Sequence, residues 1–588
     1  MSRVLYMMLI LATVAGLVAG CATPAPAPAT AQPVQQPAAT EAPKPAAEAK
    51  LINSVGVELP ADAAPLDQQV LVQMVETEPQ HLDRSAKLSA SGSIYPFLIS
   101  EPLVKLNEDL ELVPAGAESW SVADDGLTWT FKIRPGMKWS DGQPFTARDY
   151  EYMYQRMADP KVGFDWGWFY TDIVNFSEVQ KGEKPVSELG VKAVDDTTLQ
   201  ITTLKPEPYF PQKAIMMVPA PKHIAEKDEI PGAWSVKPET AVSGGPFILT
   251  KWDKGKEMVF EANKAYTGPF KPLLEKQIYK IGSVESVMPA YESNEIDAVA
   301  YAGWAGITPA DIAKAQADPE KAGLHYYTDF RTNYVALDST KPPFNDVKVR
   351  KAFAKAIDRD ALTQSAARDI GIPAYSMLMP GFHANNVEGL KPYQAYNSEE
   401  AKKLLAEAGY PDGKGFPEVT LTTYNTAPRA VLEALAAMWK EVLGVTVNLN
   451  FVEYATYAEK RGKHELPMLF EGYQFDYTDA SHLMDMWAQG VRFPWTNEEY
   501  QKLVEEADYL VGDEAKRIQL YQDAEKILVD DVGGIFIMYD KRPQFWKPYV
   551  KGKSLEPNKD GIVAFRGNKL GLTDYTVYIA KGVENFRK

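Results

Sequence analysis

A single cysteine, Cys21, serves the whole chain of 588 residues. No disulfide can close within it and no cysteine-based zinc site can form. Whatever folds here is held by burial, hydrogen bonds and charge. The position of the cysteine is as informative as its number. Residues 1–20, MSRVLYMMLILATVAGLVAG, carry one early charge, Arg3, then an uncharged apolar run, then small residues. That is the pattern of a secretory signal. The run 4–20 only approaches the ~20 residues that span a bilayer, and no other apolar stretch comes near that length.

Val18, Ala19, Gly20 and Cys21 resemble a bacterial lipobox, in which a small aliphatic residue and two small residues precede a cysteine. The resemblance implies that Cys21 is lipidated, becomes the mature N-terminus and anchors the protein to the outer, periplasmic face of the cell membrane. The alternative is a plain signal peptide with a chance cysteine. Residues 22–50 are rich in Pro, Ala, Gln and Thr and almost free of large apolar side chains. Such a segment cannot bury a core, which predicts a disordered tether with polyproline II character, assigned to 21–64. At ~3.1 Å per residue the tether would reach on the order of 90 Å when stretched.

The rest of the chain alternates polar and apolar residues and is rich in aromatic ones, enough for roughly three domains at ~150 residues each. The net charge of −17 argues against nucleic acid as a partner, since phosphate contact needs a basic footprint. GLTWTFKIR points Leu127, Trp129, Phe131 and Ile133 one way, as in a half-buried strand. Thr146 followed by Asp149 is a capping box that starts a helix through about Met157. DDTTLQITTL is another alternating strand. DVKVRKAFAKAIDRDAL predicts a helix capped by Asp346, with Val349, Ala352, Phe353, Ala356 and Ile357 on one face. NSEEAKKLLAEAGY predicts a second, capped by Asn397, burying Leu404, Leu405 and Ala408 and stopped at Gly409. A third starts at Pro428, carries Leu435, Met438, Trp439 and Val442, and stops at Gly444. VTVNLNF then follows as a strand with Val445, Val447, Leu449 and Phe451 on one face, and GGIFIMYD predicts a short buried strand. Helices alternating with strands point to α/β layers.

No segment carries recognisable catalytic chemistry. The six histidines, His81, His223, His325, His383, His464 and His482, never fall at i, i+4 spacing, and each reads as a surface or packed residue. There is no GxSxG, P-loop or GxGxxG pattern. A paired-carboxylate hydrolase stays open at this stage, because such pairs form in space and not in sequence. The expectation is a protein that is not an enzyme, with no catalytic residue, metal or cofactor. Two aromatic clusters stand out: FDWGWFYTD, with Trp166 and Trp168, and EGYQFDYTDASHLMDMW, with Tyr473, Tyr477, Asp476 and Asp479. Aromatic area with a few polar anchors suits a ligand cleft, and equally suits packing between domains.

PAGAESWSVADDGLTWTFKIRPGMKWSDGQPFTARDYEYMYQRMADP resembles the signature region of the family 5 solute-binding proteins of bacterial ABC transporters. The likeness continues in order through KPVSELGVKAVDDTTLQIT, SGGPFILTKWDKG, KPPFNDVKVRKAFAKAIDRD and YNTAPRAVLEALAAMWKEVLGVTVNL, and is nearest to the oligopeptide-binding branch. It implies a clam-like, periplasmic-binding-protein α/β fold of three domains. Domain I would comprise 65–98, 210–328 and 541–588, domain II 99–209 and domain III 329–540. Ligand would be trapped between domains I and III by hinge motion near residues 328 and 541, then delivered to a membrane permease by a monomeric receptor. In the family, an Asp in a Gly-Trp-x-x-Asp-Tyr segment holds the peptide amino group. GYQFDY puts Asp476 there, flanked by Tyr473 and Tyr477. Arg368 lies near a family lysine that meets the peptide carboxylate. Arg429 adjoins a family histidine position occupied here by Ala430, and Phe470 replaces a family arginine. Other members take dipeptides, nickel complexes, haem or oligosaccharides. A non-peptide solute such as an oligosaccharide, which would stack on the tryptophans of 164–170, is therefore the alternative, and a signalling receptor is a further one.

Overall fold

The computed structural model describes residues 50–86, 95–299, 306–488, 490, 492–563 and 574–587. The signal segment, Cys21 and the tether up to residue 49 lie outside the described residues. Residues 50–64, expected to belong to the tether, instead pack on the body. Ile52 bridges Glu58, and Ala63 bridges Ala580. Val55, Leu59, Ala63 and Ala64 are buried. These apolar residues give the segment burial that the Pro/Ala stretch before it does not have.

The fold is mixed α/β. Its largest sheet runs, strand beside strand, through Val447–Val452, Val419–Tyr424, Met468–Gln474, Leu324–Leu337, Gly534–Trp546, Ala298–Val299, Val70–Val75, Lys276–Ile281, Glu257–Ala262 and Phe247–Asp253. A separate antiparallel sheet orders Ala117–Val122, Thr128–Ile133, Thr198–Thr202 and Val191–Asp195. In it Trp129, Phe131 and Ile133 are buried as their alternation requires, while Leu127 is half-buried. The capping box forms as written: Asp149 Oδ2 accepts from Thr146 N at 2.8 Å and starts the helix Ala147–Ala158.

Two long antiparallel strands, Leu324–Leu337 and Gly534–Trp546, run through both halves of the large sheet. Their pairing is regular from Leu324↔Phe545 to Thr328↔Lys541, breaks, and resumes at Thr332↔Tyr539. The break leaves out Asp329, Phe330 and Arg331, and Phe330 takes φ 30. On one side of it, Val335 and Leu337 join a core with the helices Val347–Lys355, Ser398–Glu407 and Arg429–Leu443. On the other, Tyr327 and Trp546 join the core built on Val70–Val75 and Phe247–Asp253.

Four expectations need correction. GGIFIMYD is one half of a strand of 13 residues. Asp540, Lys541, Arg542 and Pro543 look like a strand end in sequence, yet the two charges Asp540 and Arg542 are satisfied inside the sheet. The predicted helix 346–362 is two helices, Val347–Lys355 and Arg359–Gln364, because Asp358 caps the second by accepting from Ala361 N at 2.9 Å. Ala356 and Ile357 are buried in the link between them. Leu404 and Ala408 are half-buried beside the buried Leu405, as are Met438 and Val442 beside the buried Leu435 and Trp439. The last strand begins at Val447, with Val445 buried ahead of it; as the sheet's edge it leaves Leu449 and Phe451 half-buried.

Candidate functional site

The strand Met468–Gln474 lies against Leu324–Leu337, with Tyr473 opposite Thr332. Gly472 is needed at this crossing: a Cβ there would fall 2.4 Å from Asn333 Oδ1 and 2.5 Å from Arg331 Nε. The guanidinium of Arg331 uses that space to donate to Gly472 O at 2.8 Å and to Tyr424 Oη at 3.1 Å. The strand then turns through 475–479 into the helix Ala480–Ala488. Asp476 sits in this turn with its side chain 22% exposed, and His482 Nε2 is 3.2 Å from its Oδ2. The imidazole rests against both tyrosines, 5.6 Å from the Tyr473 ring and 4.7 Å from that of Tyr477. Burial, and then the charge of Asp476, push the Tyr473 hydroxyl up to about 12.

Tyr477 ties this turn to the smaller sheet's side of the protein. It stacks on Tyr209 at 5.4 Å and 8°, and meets Phe169 edge-on at 5.9 Å. The aromatic segment 164–170 therefore divides. Phe164, Phe169 and Tyr170 are core. Trp166 is half-buried with the Arg84 guanidinium 5.7 Å from its ring. Trp168 meets Phe169 edge-on and is 58% exposed.

The structure brings Asp476, Tyr473 and Tyr477 together and places the predicted arginines elsewhere. Arg368 is 66% exposed, near Asp369 and donating to Gln316 Oε1 at 3.2 Å. Arg429 is exposed on the first turn of its helix, its guanidinium 3.8 Å from the Phe451 ring centroid on the edge strand. That strand is two positions away from Met468–Gln474 in the sheet.

Other cations, not singled out in the sequence, lie beside the turn. Arg492 stacks over the Tyr473 ring at 4.6 Å and pairs with Glu471 Oε1 at 2.5 Å, and Arg461 pairs with the same oxygen. At the break between the long strands, Arg542 lies 3.4 Å from Asp329 and 2.7 Å from Asp540. Asn333 donates to Asp540 at 2.6 Å and Gln474 to Asp329 at 2.7 Å. This cluster joins the turn-bearing strand to the two long strands. Glu471 and Asp329 carry no local sequence signal, since their counter-charges come from other elements.

Residues 111–494 match the family described as bacterial extracellular solute-binding proteins, family 5 Middle. The chain belongs to that family. Family 5 relatives align over nearly their whole length. The periplasmic oligopeptide-binding protein OppA of Salmonella typhimurium is 31% identical over 87% of this chain and 94% of its own. The periplasmic murein peptide-binding protein MppA of Escherichia coli is 28% identical over 87% and 96%. Among solved structures, the unliganded open form of MppA superposes with a TM-score of 0.78 at 27% identity, covering 89% of this chain and all of its own. Another structure of E. coli MppA scores 0.61 at 26% identity over the same share. Haemophilus influenzae OppA in complex with RPPGFSPFR scores 0.60 at 26% identity, covering 88% of this chain and 99% of its own.

Proposed function

We propose that this protein is the lipid-anchored receptor of an ABC importer, capturing oligopeptides in a cleft between domains I and III and delivering them to the permease as a monomer. The observation that carries the reading is the partly exposed Asp476 carboxylate, framed by Tyr473 and Tyr477, in a chain related to oligopeptide-binding proteins along most of its length. An ammonium group sequestered from water needs such a carboxylate. Main-chain hydrogen bonds to an extended ligand, with hydrated side-chain pockets, supply affinity without sequence preference. The domain division at 99–209 and 329–540 belongs to this reading. So does a hinge at 328 and 541, which the register break after Thr328↔Lys541 supports. Arg368 and Arg429, both exposed, belong to this reading as the groups that would meet a ligand carboxylate.

A non-peptide solute such as an oligosaccharide is the second reading, favoured by the exposed Trp168 ring, since sugars stack on flat aromatic faces. Small-angle scattering separates the two and tests closure, a known response of hinged binding proteins. Saturating trialanine should lower the radius of gyration of the purified protein, and maltotriose should leave it unchanged. An unchanged radius with trialanine at saturation rejects hinge closure. A decrease with maltotriose alone moves the reading to sugar.

The anchor has its own test. One acyl chain holds a protein at a membrane only marginally, and two hold it stably. If Cys21 carries the lipid, Cys21→Ser should move the processed protein from the membrane pellet to the soluble fraction. Equal membrane association of parent and variant after signal removal would sink the anchor.

A further inference from the structure

His482 stands out among the histidines because its ring is enclosed where the ligand anchor is. Its side chain is 10% exposed, held between the rings of Tyr473 and Tyr477. Its Nε2 is buried and 3.2 Å from Asp476 Oδ2, yet makes no well-directed hydrogen bond to any protein group. A buried imidazole nitrogen that faces a carboxylate without a formed hydrogen bond is a partner held in reserve: protonated, it can close an ion pair; neutral, it leaves the carboxylate free.

Charged groups from several elements surround His482. On its own helix, Asp485 is next to a second buried carboxyl, Asp508; burial pushes both upward, and the charge of His482 works against that rise at Asp485. Asp479, three residues before His482, is engaged by Arg517 through both oxygens. From the neighbouring strand, Tyr473 has its ring covered by Arg492, whose charge is taken up by Glu471. Tyr477 hydrogen-bonds Ser481 at 3.2 Å and stacks on Tyr209. Among the described residues, Asp476 is the carboxylate that pairs with the ring, at 3.2 Å, and Asp485 is a second one that feels its charge.

We propose that His482 and the ammonium group of the ligand compete for the Asp476 carboxylate, so that capture of the ligand releases a proton from the imidazole. This rests on the reading of Asp476 as the amino anchor. Two cations cannot share one partly buried carboxylate at the strength of either pair alone, because they repel each other at close range. When His482 is charged it occupies the anchor, and an incoming ammonium group must displace it or its proton. When His482 is neutral the anchor is open. Binding is therefore weaker in acid, across the range in which histidine side chains change charge. A peptide α-amino group stays protonated below about pH 7, so a slope there belongs to the protein.

Calorimetry with trialanine between pH 5 and 7, in buffers of differing ionisation enthalpy, measures both consequences. Affinity of the parent should fall toward tenfold per pH unit at the acid end, the limit for one linked proton, with proton release on binding. His482→Asn and His482→Gln should flatten the slope and abolish the release. NMR of histidine-labelled protein without ligand supplies a readout that needs no peptide: the His482 imidazole should keep its proton to higher pH in the parent than in Asp476→Asn. The proposal is overturned if parent and His482 variants show the same slope and proton release. It is also overturned if Asp476→Asn leaves the imidazole titration where it was. Trialanine that binds neither protein at any pH refutes the peptide reading and the competition together, whereas binding without a His482-dependent slope refutes the competition alone.

Discussion

Replacing Asp476 by Asn should weaken trialanine at pH 7 by about a hundredfold or more, while N-acetylated trialanine should bind the parent weakly and barely distinguish parent from variant. The substitution keeps the shape of the side chain and removes its charge. Breaking a buried ion pair by deleting one partner costs ~3–5 kcal/mol, because the remaining charge stays in a dry site without compensation. At ~1.4 kcal/mol per tenfold, that is two to three orders of magnitude in affinity. The side chain is 22% exposed, so the expected effect belongs at the lower end of the range. Calorimetry at one pH and one salt concentration measures all four affinities. Free and acetylated peptides that bind the parent equally would remove Asp476 from the anchoring role.

The features readable in the sequence are those whose physics is local. Thr146 with Asp149, Asp346 ahead of its helix and Asn397 ahead of Glu400 each close a hydrogen bond within two or three residues. Spacing alone therefore identifies them. Trp129, Phe131 and Ile133 alternate because one face of their strand is buried. The turn GYQFDY is legible through resemblance, and the structure does gather its three side chains. The two long strands are harder to read. Asp329 and Arg331 on one, and Asp540 and Arg542 on the other, break the apolar alternation that marks a strand. They are tolerated because they neutralise one another across a sequence separation of 213 residues. Glu471 is similar: its partners Arg461 and Arg492 are 10 and 21 residues away and reach it from different elements. A charge that reads as surface in the sequence can thus be buried when its counter-charge arrives from elsewhere. The same reasoning explains Arg368 and Arg429. Matching a family position along the chain leaves open where the guanidinium points, and each finds a neighbour outside the turn. Residues 50–64 read as tether because the composition changes gradually there. Their few apolar side chains find burial only against strands hundreds of residues later.

The turn that carries Asp476 is itself held from behind, and removing that support should destabilise the fold strongly. Asp479, three residues after Asp476, is 3% exposed and Arg517 is 2% exposed. Two parallel hydrogen bonds join them, Nη1 to Oδ2 at 2.8 Å and Nη2 to Oδ1 at 2.5 Å. Asp479 Oδ1 also accepts from Ser481 N at 3.0 Å, fixing the start of the helix that carries His482. Arg517 donates further to Ala507 O at 3.0 Å and to Tyr521 Oη at 3.1 Å. A fork this well matched is the strong geometry for a guanidinium and a carboxylate. Burial alone would raise the Asp479 carboxyl; the Arg517 guanidinium outweighs it and holds the group below the usual carboxylate range. Asp479→Ala should therefore cost about 3–5 kcal/mol in the denaturant transition of this part of the protein at pH 7, since it strands a buried guanidinium. Asp479→Ala with Arg517→Met should recover part of the loss, because the uncompensated charge goes with its partner. The pH dependence has a definite sign. A carboxyl held low in the folded state stabilises above its unfolded value, near 3.8. That contribution disappears as pH falls through the lower folded value. The gap between parent and Asp479→Ala should thus be full at neutral pH and close only in strong acid, below about pH 4. The turn should loosen with it, so Asp479→Ala should also weaken trialanine without touching the anchor carboxylate. A loss of stability under about 1 kcal/mol, or a double variant less stable than the single one, would show that the pair is not what holds the turn in place.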